Sequence, residues 1–232
     1  MTALQRVAVF GASGAIGSAI VESFAARGDT VIAISRSGRG PALPNVHCVT
    51  WDGEGELPEL DAPLDAAVWS QGANCSDSIR TFDLAAHQEM YAANVTYVMT
   101  SLQALLAREQ LAARARLCII SSIWQNIARQ NKLSYCVTKA ALQGLVQSLA
   151  VDLGPSGYLV NAVLPGALDT PMTRANLSAE QIARLEGMTP LGTLPALEDV
   201  TNLVGFLCSP ANTGITGQFV SADKGFSRAR IL

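Results

Sequence analysis

The chain has no apolar run approaching the ~20 residues that a membrane-spanning helix needs, although 49% of its 232 residues are hydrophobic. It also lacks any cluster of Lys and Arg. Charged residues make up 15% of the total and the formal net charge is −3. Nucleic-acid surfaces are built from clustered basic residues, so neither a nucleic-acid nor a membrane partner is expected. Cysteines are few and dispersed (Cys48, Cys75, Cys118, Cys136, Cys208), with no C-x-x-C pair. An odd, scattered set reads as reduced core thiols in a cytoplasmic protein, not as a disulfide framework or a metal site. No metal is expected. The opening residues are apolar but lack a basic leader and turn glycine-rich by Gly11, which argues against a secretory signal.

What is present is an alternation of short β-prone runs and helical periodicities. Arg6–Phe10 is a compact strand candidate, followed by a glycine turn and a helical pattern over Ser18–Arg27 that Gly28 suits to end. Further strands are expected at 30–34, 46–50, 65–69, 117–120, 158–163 and 217–221, with long helices over about 84–107 and 134–153. The length fits one large α/β domain. Strands alternating with helices predict a mostly parallel sheet covered on both faces. There is no internal repeat and no linker, so residues 1–232 are read as a single domain. The least regular stretch, 166–197, leaves the sixth strand where open α/β sheets bind ligands, and is a candidate substrate lid.

Gly11-Ala12-Ser13-Gly14-Ala15-Ile16-Gly17 lies between the first strand and the first helix. Glycines there let the backbone turn tightly and approach a pyrophosphate, while the helix N-terminus offers N–H groups and a positive dipole end. Ser13 either donates a hydroxyl to a phosphate or caps the helix. Further on, Tyr135 and Lys139 stand four residues apart, which places a phenol and an ammonium on one helix face. Ser122 ends the buried run 117–120, thirteen residues before Tyr135, and Asn94 sits within the preceding long helix pattern.

Taken together these residues resemble the short-chain dehydrogenase/reductase family, near its 3-oxoacyl-carrier-protein reductase-like branch, and the likeness spans nearly the whole chain. Phe10 to Gly17 matches the family's T-G-x-x-x-G-x-G turn. Trp69-Ser70-Gln71-Gly72 occupies its N-N-A-G segment. Asn94, Ser122, Tyr135 and Lys139 match its catalytic tetrad in order and spacing. Asn161 to Gly166, followed by Asp169-Thr170-Pro171-Met172, matches its strand-and-PG segment, and Thr216-Gly217 with Asp223-Lys224-Gly225 its closing T-G and D-G-G. The departures are Phe10 for a Thr whose hydroxyl braces the turn, Ala15 for a glycine, Trp69 to Gln71 for the amide and alanine positions, and Lys224 for a glycine. The resemblance implies a Rossmann-type doubly wound sheet of about seven strands. It implies an oxidoreductase in which Tyr135 is the acid/base and Lys139 lowers the tyrosine pKa and holds the nicotinamide ribose. In the same picture Ser122 orients the substrate oxygen, and Asn94 anchors a water in a proton relay. His47 and His87 match no catalytic position and are read as structural.

Cofactor choice turns on the end of the second strand. Ile34-Ser35-Arg36-Ser37 carries no acid there. An acid would accept bonds from an adenosine ribose and repel a 2′-phosphate, whereas Arg36 forks onto a phosphate and Ser35 and Ser37 donate to it. NADP(H) is therefore expected over NAD(H). Asp52 resembles the family's adenine-contacting Asp. The expected cofactor contacts are Gly11, Ser13, Ala15, Ile16, Ser35, Arg36, Ser37, Asp52, Gly72, Pro165, Gly166, Leu168 and Thr170. Trp124, Gln125, Asn74, Met172 and the segment to Met188 are expected to face a small carbonyl or alcohol substrate; Trp124 is equally readable as core. The helices around 84–107 and 134–153 are expected to build a homotetramer, with a dimer as fallback. The leading function is a carbonyl reductase. The alternatives are an NAD-linked alcohol dehydrogenase and a non-catalytic nucleotide-binding scaffold, which an intact tetrad disfavours.

Overall fold

Apolar, β-branched segments buried on both sides form the layer that places the site. The computed structural model describes residues 4–229, apart from the side chains of Met172 and Asn176. Its strands are β1 (Arg6–Phe10), β2 (Thr30–Ser35), β3 (Val46–Thr50), β4 (Leu64–Trp69), β5 (Leu111–Ile120), β6 (Leu159–Pro165) and β7 (Phe219–Ala222). They form one sheet in the order β3-β2-β1-β4-β5-β6-β7, and every pairing is parallel. The chain moves outward from β1 to β3, then returns to lay β4 on the other side of β1. That reversal opens a crevice beyond the carboxyl ends of β1 and β4, where ligands bind in such sheets.

The helices are α1 (Ala15–Ala26), α2 (Leu84–Tyr91), α3 (Tyr97–Ala107), α4 (Leu133–Leu153), α5 (Pro171–Asn176), α6 (Ala179–Glu186) and α7 (Leu197–Leu207). Successive strand residues point to opposite faces, so the core divides in two. On one face Phe10, Ile34, Trp69, Ile119 and Ala162 pack with Val98 and Leu102 of α3 and with Leu142 and Val146 of α4. On the other, Val9, Ala33, Val68, Ile120 and Val163 pack with Ile20, Val21 and Phe24 of α1 and with Val200 and Val204 of α7. This is the doubly wound arrangement expected.

Four details differ from the sequence reading. The long helix expected over 84–107 is split by a π-helical turn, Ala92–Thr96, which contains Asn94; such turns recur at functional sites. The stretch 166–197 carries α5 and α6. These are short helices set by local caps, with Thr170 accepting from Thr173 and a Ser178–Gln181 capping box, and too brief to show a long apolar period. Strand β5 begins six residues before 117, and its exposed Ala113 and Arg114 hide it from a burial pattern. Of the five thiols, only Cys118 and Cys208 are core residues; Cys48 is exposed, Cys75 and Cys136 are half-buried, and all are free. Among the described residues, no helix is long and apolar enough to cross a membrane, and no three His, Cys, Asp or Glu gather as a metal site.

Candidate active site

The glycine turn needs its glycines for different reasons. Gly11 has φ +80°, and a Cβ there would lie 2.4 Å from the Gln71 backbone nitrogen. A Cβ on Gly17 would lie 2.2 Å from the Gly11 carbonyl oxygen, whereas one on Gly14 meets only that oxygen, at 3.5 Å. Gly14, not Ser13, is the N-cap of α1. No side chain caps the helix and no acid stands in its first turn. The positive dipole end and first-turn N–H groups of α1, at Ala15 and Ile16, are thus available to an anion. Ser13 and Ala15 are exposed beside them.

The brace that Phe10 lacks is supplied from the next strand. The Ser70 hydroxyl donates to the Phe10 carbonyl at 2.7 Å, alongside the Ser70 N–H at 2.9 Å. Phe10 and Trp69 are coupled departures. Their rings stack in parallel with centroids 5.4 Å apart, and Phe10 meets Trp51 and Tyr97 edge-on at 6.2 and 6.1 Å. The Trp69 indole N–H donates to Ser101 Oγ at 2.8 Å, which satisfies its one polar atom in the core.

At the ends of β2 and β3, Arg36, Ser37 and Asp52 are exposed. Ser35 is buried and its hydroxyl donates to the Arg39 carbonyl at 2.9 Å, closing the turn. Asp52 accepts from the Glu54 N–H at 2.9 Å. Both charges reach Tyr97, whose hydroxyl is pushed up by burial foremost, then by Asp52, with Arg36 opposing. Beyond β6, Pro165 pairs with Ala222, and a Cβ on Gly166 would lie 2.9 Å from that of Asp223. Leu168 packs against the α1/α7 core, and the buried Thr170 caps α5.

The four tetrad residues come together. Ser122 is buried at the end of β5, and its Oγ accepts from the Trp124 N–H at 3.3 Å. Tyr135 lies in the first turn of α4 and Lys139 one turn later. The buried Lys139 ammonium donates to the Ile120 carbonyl at 3.1 Å and stands 5.7 Å from the Tyr135 ring centre. Asn94 accepts from the Ala73 N–H at 2.7 Å and donates to the Ala73 carbonyl at 3.1 Å and to Thr138 Oγ1 at 2.9 Å. A Cβ on Gly72 would sit 3.0 Å from Asn94 Oδ1 and 3.8 Å from Lys139 Nζ, so Gly72 lies over both. The sequence reading missed Thr138, which also donates to the Tyr135 carbonyl at 3.0 Å. Its place one turn after Tyr135 was the available signal.

In the folded chain burial dominates at the Tyr135 hydroxyl and raises its pKa above the ordinary value of 10.0, with a Ser122 hydrogen bond pulling it partly back. Burial also lowers the Lys139 pKa from 10.5 to about 8. At neutral pH the phenol therefore keeps its proton and can donate it.

Around this centre Trp124 is half-buried. Its ring meets Phe226 edge-on at 6.2 Å, and the Arg129 guanidinium lies 5.9 Å from it. Phe226, from the tail after β7, was not foreseen. Gln125 is buried. Asn74 is exposed and holds Lys132 at 2.9 Å. Met188 is exposed, and the Met172 side chain lies outside the described residues. His87 bonds Ser134 at 2.8 Å, and His47 is an exposed residue of β3.

Comparison with known proteins agrees with this geometry. A family model described as "Enoyl-(Acyl carrier protein) reductase" matches residues 56–227. The chain is 30% identical to the "Uncharacterized oxidoreductase YmfI" of Bacillus subtilis, covering 94% of this chain and 97% of that one. It is also 30% identical to the "3-oxoacyl-[acyl-carrier-protein] reductase FabG" of Aquifex aeolicus, covering 94% and 95%. A short chain dehydrogenase family protein from Francisella tularensis superposes with a TM-score of 0.86 at 24% identity, over 98% of this chain and 100% of that one. With the seven-stranded parallel sheet, the glycine turn and the assembled tetrad, these matches place the chain in the short-chain dehydrogenase/reductase family of NAD(P)-dependent oxidoreductases.

Proposed function

We propose that the chain is an NADP(H)-dependent carbonyl reductase that converts a ketone or aldehyde to an alcohol. The observation that carries this reading is the convergence of a protonated, Ser122-bonded Tyr135 with buried Lys139 and Asn94 beside Gly72. The uncapped α1 N-terminus fits a pyrophosphate. Gly11, Ser13, Ala15 and Ile16 would hold it, while Gly72, Pro165, Gly166, Leu168 and Thr170 would flank the nicotinamide half. Arg36, with exposed Ser37 beside it, buried Ser35 holding the turn through the Arg39 carbonyl and no carboxylate bonded to Arg36 among the described residues, favours a 2′-phosphate. Asp52 would sit at the adenine.

The reduced nicotinamide supplies the hydride when bound. The protein's part is the proton and the orientation. Ser122 donates to the carbonyl oxygen and fixes its direction. Tyr135 gives its phenolic proton to that oxygen as negative charge develops there, and positioned proton transfer of this kind contributes ~10²–10⁴-fold. Lys139 stabilises the resulting phenolate by its charge, and Asn94 holds the Ala73 backbone and a water that returns the proton. Trp124, Phe226 and Gln125 wall the substrate end, and the segment 166–197 with α5 and α6 closes it as a lid. A 3-oxoacyl thioester, a sugar ketone and a natural-product ketone are the substrate classes to test first. Exposed Leu84, Tyr91, Met99, Val137 and Val151 on α2, α3 and α4 support a homo-oligomeric interface there.

The test is turnover of a carbonyl panel with NADPH and with NADH, comparing the wild type with Tyr135→Phe. Wild-type reduction with NADPH, lost by about 10²-fold or more in the variant while NADPH still binds, supports the reading. Full turnover by the variant overturns the mechanism. A preference for NADH overturns the cofactor assignment.

A further inference from the structure

The helix that carries Tyr135 and Lys139 has no cap of its own. Lys132 occupies its N-cap position and makes no side-chain capping bond. The first-turn N–H groups of a helix need acceptors, and here a distant loop provides them. The Asp77 carboxylate is buried, and both its oxygens accept from the Ser134 N–H, at 3.1 and 3.2 Å, across 57 residues of sequence. The Asp77 carbonyl takes the Leu133 N–H at 3.4 Å, and the Asp77 N–H donates to the Asn131 carbonyl at 3.2 Å. The Lys132 ammonium reaches back to the same loop, donating to Asn74 Oδ1, the Cys75 carbonyl and Ser76 Oγ at 2.9, 2.8 and 3.2 Å. From α2, His87 Nδ1 bonds the Ser134 hydroxyl at 2.8 Å. The other end of the loop is tied at Ala73 by Asn94. Residues 72–77 thus form a strap between one tetrad member and the helix bearing two others.

We infer that Asp77 is a positioning residue for hydride transfer: by capping α4 from a distance it fixes the first turn of that helix, and with it the Tyr135 hydroxyl. This rests on Tyr135 being the acid/base. A carboxylate at a helix N-terminus also opposes the positive end of the dipole, and the Ser134 N–H that it holds belongs to the residue immediately before Tyr135. Loss of the cap frees the first turn, and displacement of a reacting group by ~1 Å costs as much as ~10²-fold in rate.

The test compares Asp77→Ala and Asp77→Asn by three measurements: kcat and KM on the best carbonyl of the panel, NADPH affinity by fluorescence, and amide exchange over residues 133–136. Asp77→Ala is expected to lower kcat about tenfold, to leave NADPH affinity and carbonyl KM within about twofold, and to speed exchange about fivefold, the factor for a lost cap. Asp77→Asn keeps an acceptor oxygen and is expected to restore most of kcat. If Asp77→Ala does not fold, Asp77→Ser is carried through the same measurements with the same expectations. Faster exchange with unchanged kcat overturns the positioning role, as does an equal fall in kcat for Ala and Asn. Full activity of Tyr135→Phe would overturn the parent mechanism instead, so the two failures are distinguishable.

Discussion

Lys139→Met should stabilise the protein while disabling it, and the size and pH dependence of the gain follow from burial. Lys139 is 4% exposed, and among the described residues its ammonium hydrogen-bonds to the Ile120 carbonyl. Its pKa falls from 10.5 to about 8 on folding. At ~1.36 kcal/mol per tenfold change in the protonation equilibrium, that drop amounts to on the order of 3 kcal/mol of folding free energy lost at neutral pH. Methionine fills similar volume without a charge, but leaves the Ile120 carbonyl without this donor, a loss of ~1 kcal/mol. A net gain of ~2 kcal/mol remains, or roughly 4–8 °C in Tm for a chain of this size. The sign with pH is fixed. The folded-state pKa lies below the unfolded one, so the unfolded chain binds more protons between about pH 8 and 10.5. The wild type therefore gains stability as pH rises through that window, and its deficit relative to Lys139→Met disappears above it. The assay is denaturant unfolding of both proteins at pH 7, 9 and 10.5. A Met variant no more stable at pH 7, or an advantage that does not shrink with pH, would refute the reasoning.

Three further outcomes are expected. Arg36→Asp should weaken NADPH about 10–100-fold, the range for a lost charge-assisted bond plus repulsion, and bring NADH to parity or better, read by fluorescence titration. Phe10→Thr restores the residue the family turn carries, yet should destabilise the fold by ~3 kcal/mol, because the stack on Trp69 is lost and a cavity opens beside Trp51; thermal unfolding measures it. Gly17→Ala should abolish dinucleotide binding or soluble expression, since its Cβ would lie 2.2 Å from the Gly11 carbonyl oxygen, closer than real Cβ atoms approach.

The sequence alone pointed to the strands, the longer helices, the parallel sheet and the candidate residues for the chemistry. Each of these is written in local periodicity or fixed spacing: the glycine turn, the Tyr135–Lys139 pair on one helix face, Ser122 at the end of a buried run. Tertiary structure decided what those residues can do. The raised Tyr135 pKa and the lowered Lys139 pKa both come chiefly from burial, which is not local to the motif. The missing brace at Phe10 came from Ser70, 60 residues away. The cap of α4 came from Asp77, and the ring packed edge-on against Trp124 from Phe226. Helices α5 and α6 are set by local caps, the Thr170–Thr173 bond and the reciprocal Ser178–Gln181 box, too short-ranged to produce a long apolar period. Local pattern is written in neighbouring side chains; desolvation, long-range hydrogen bonds and ring contacts exist only once the chain has brought distant residues together.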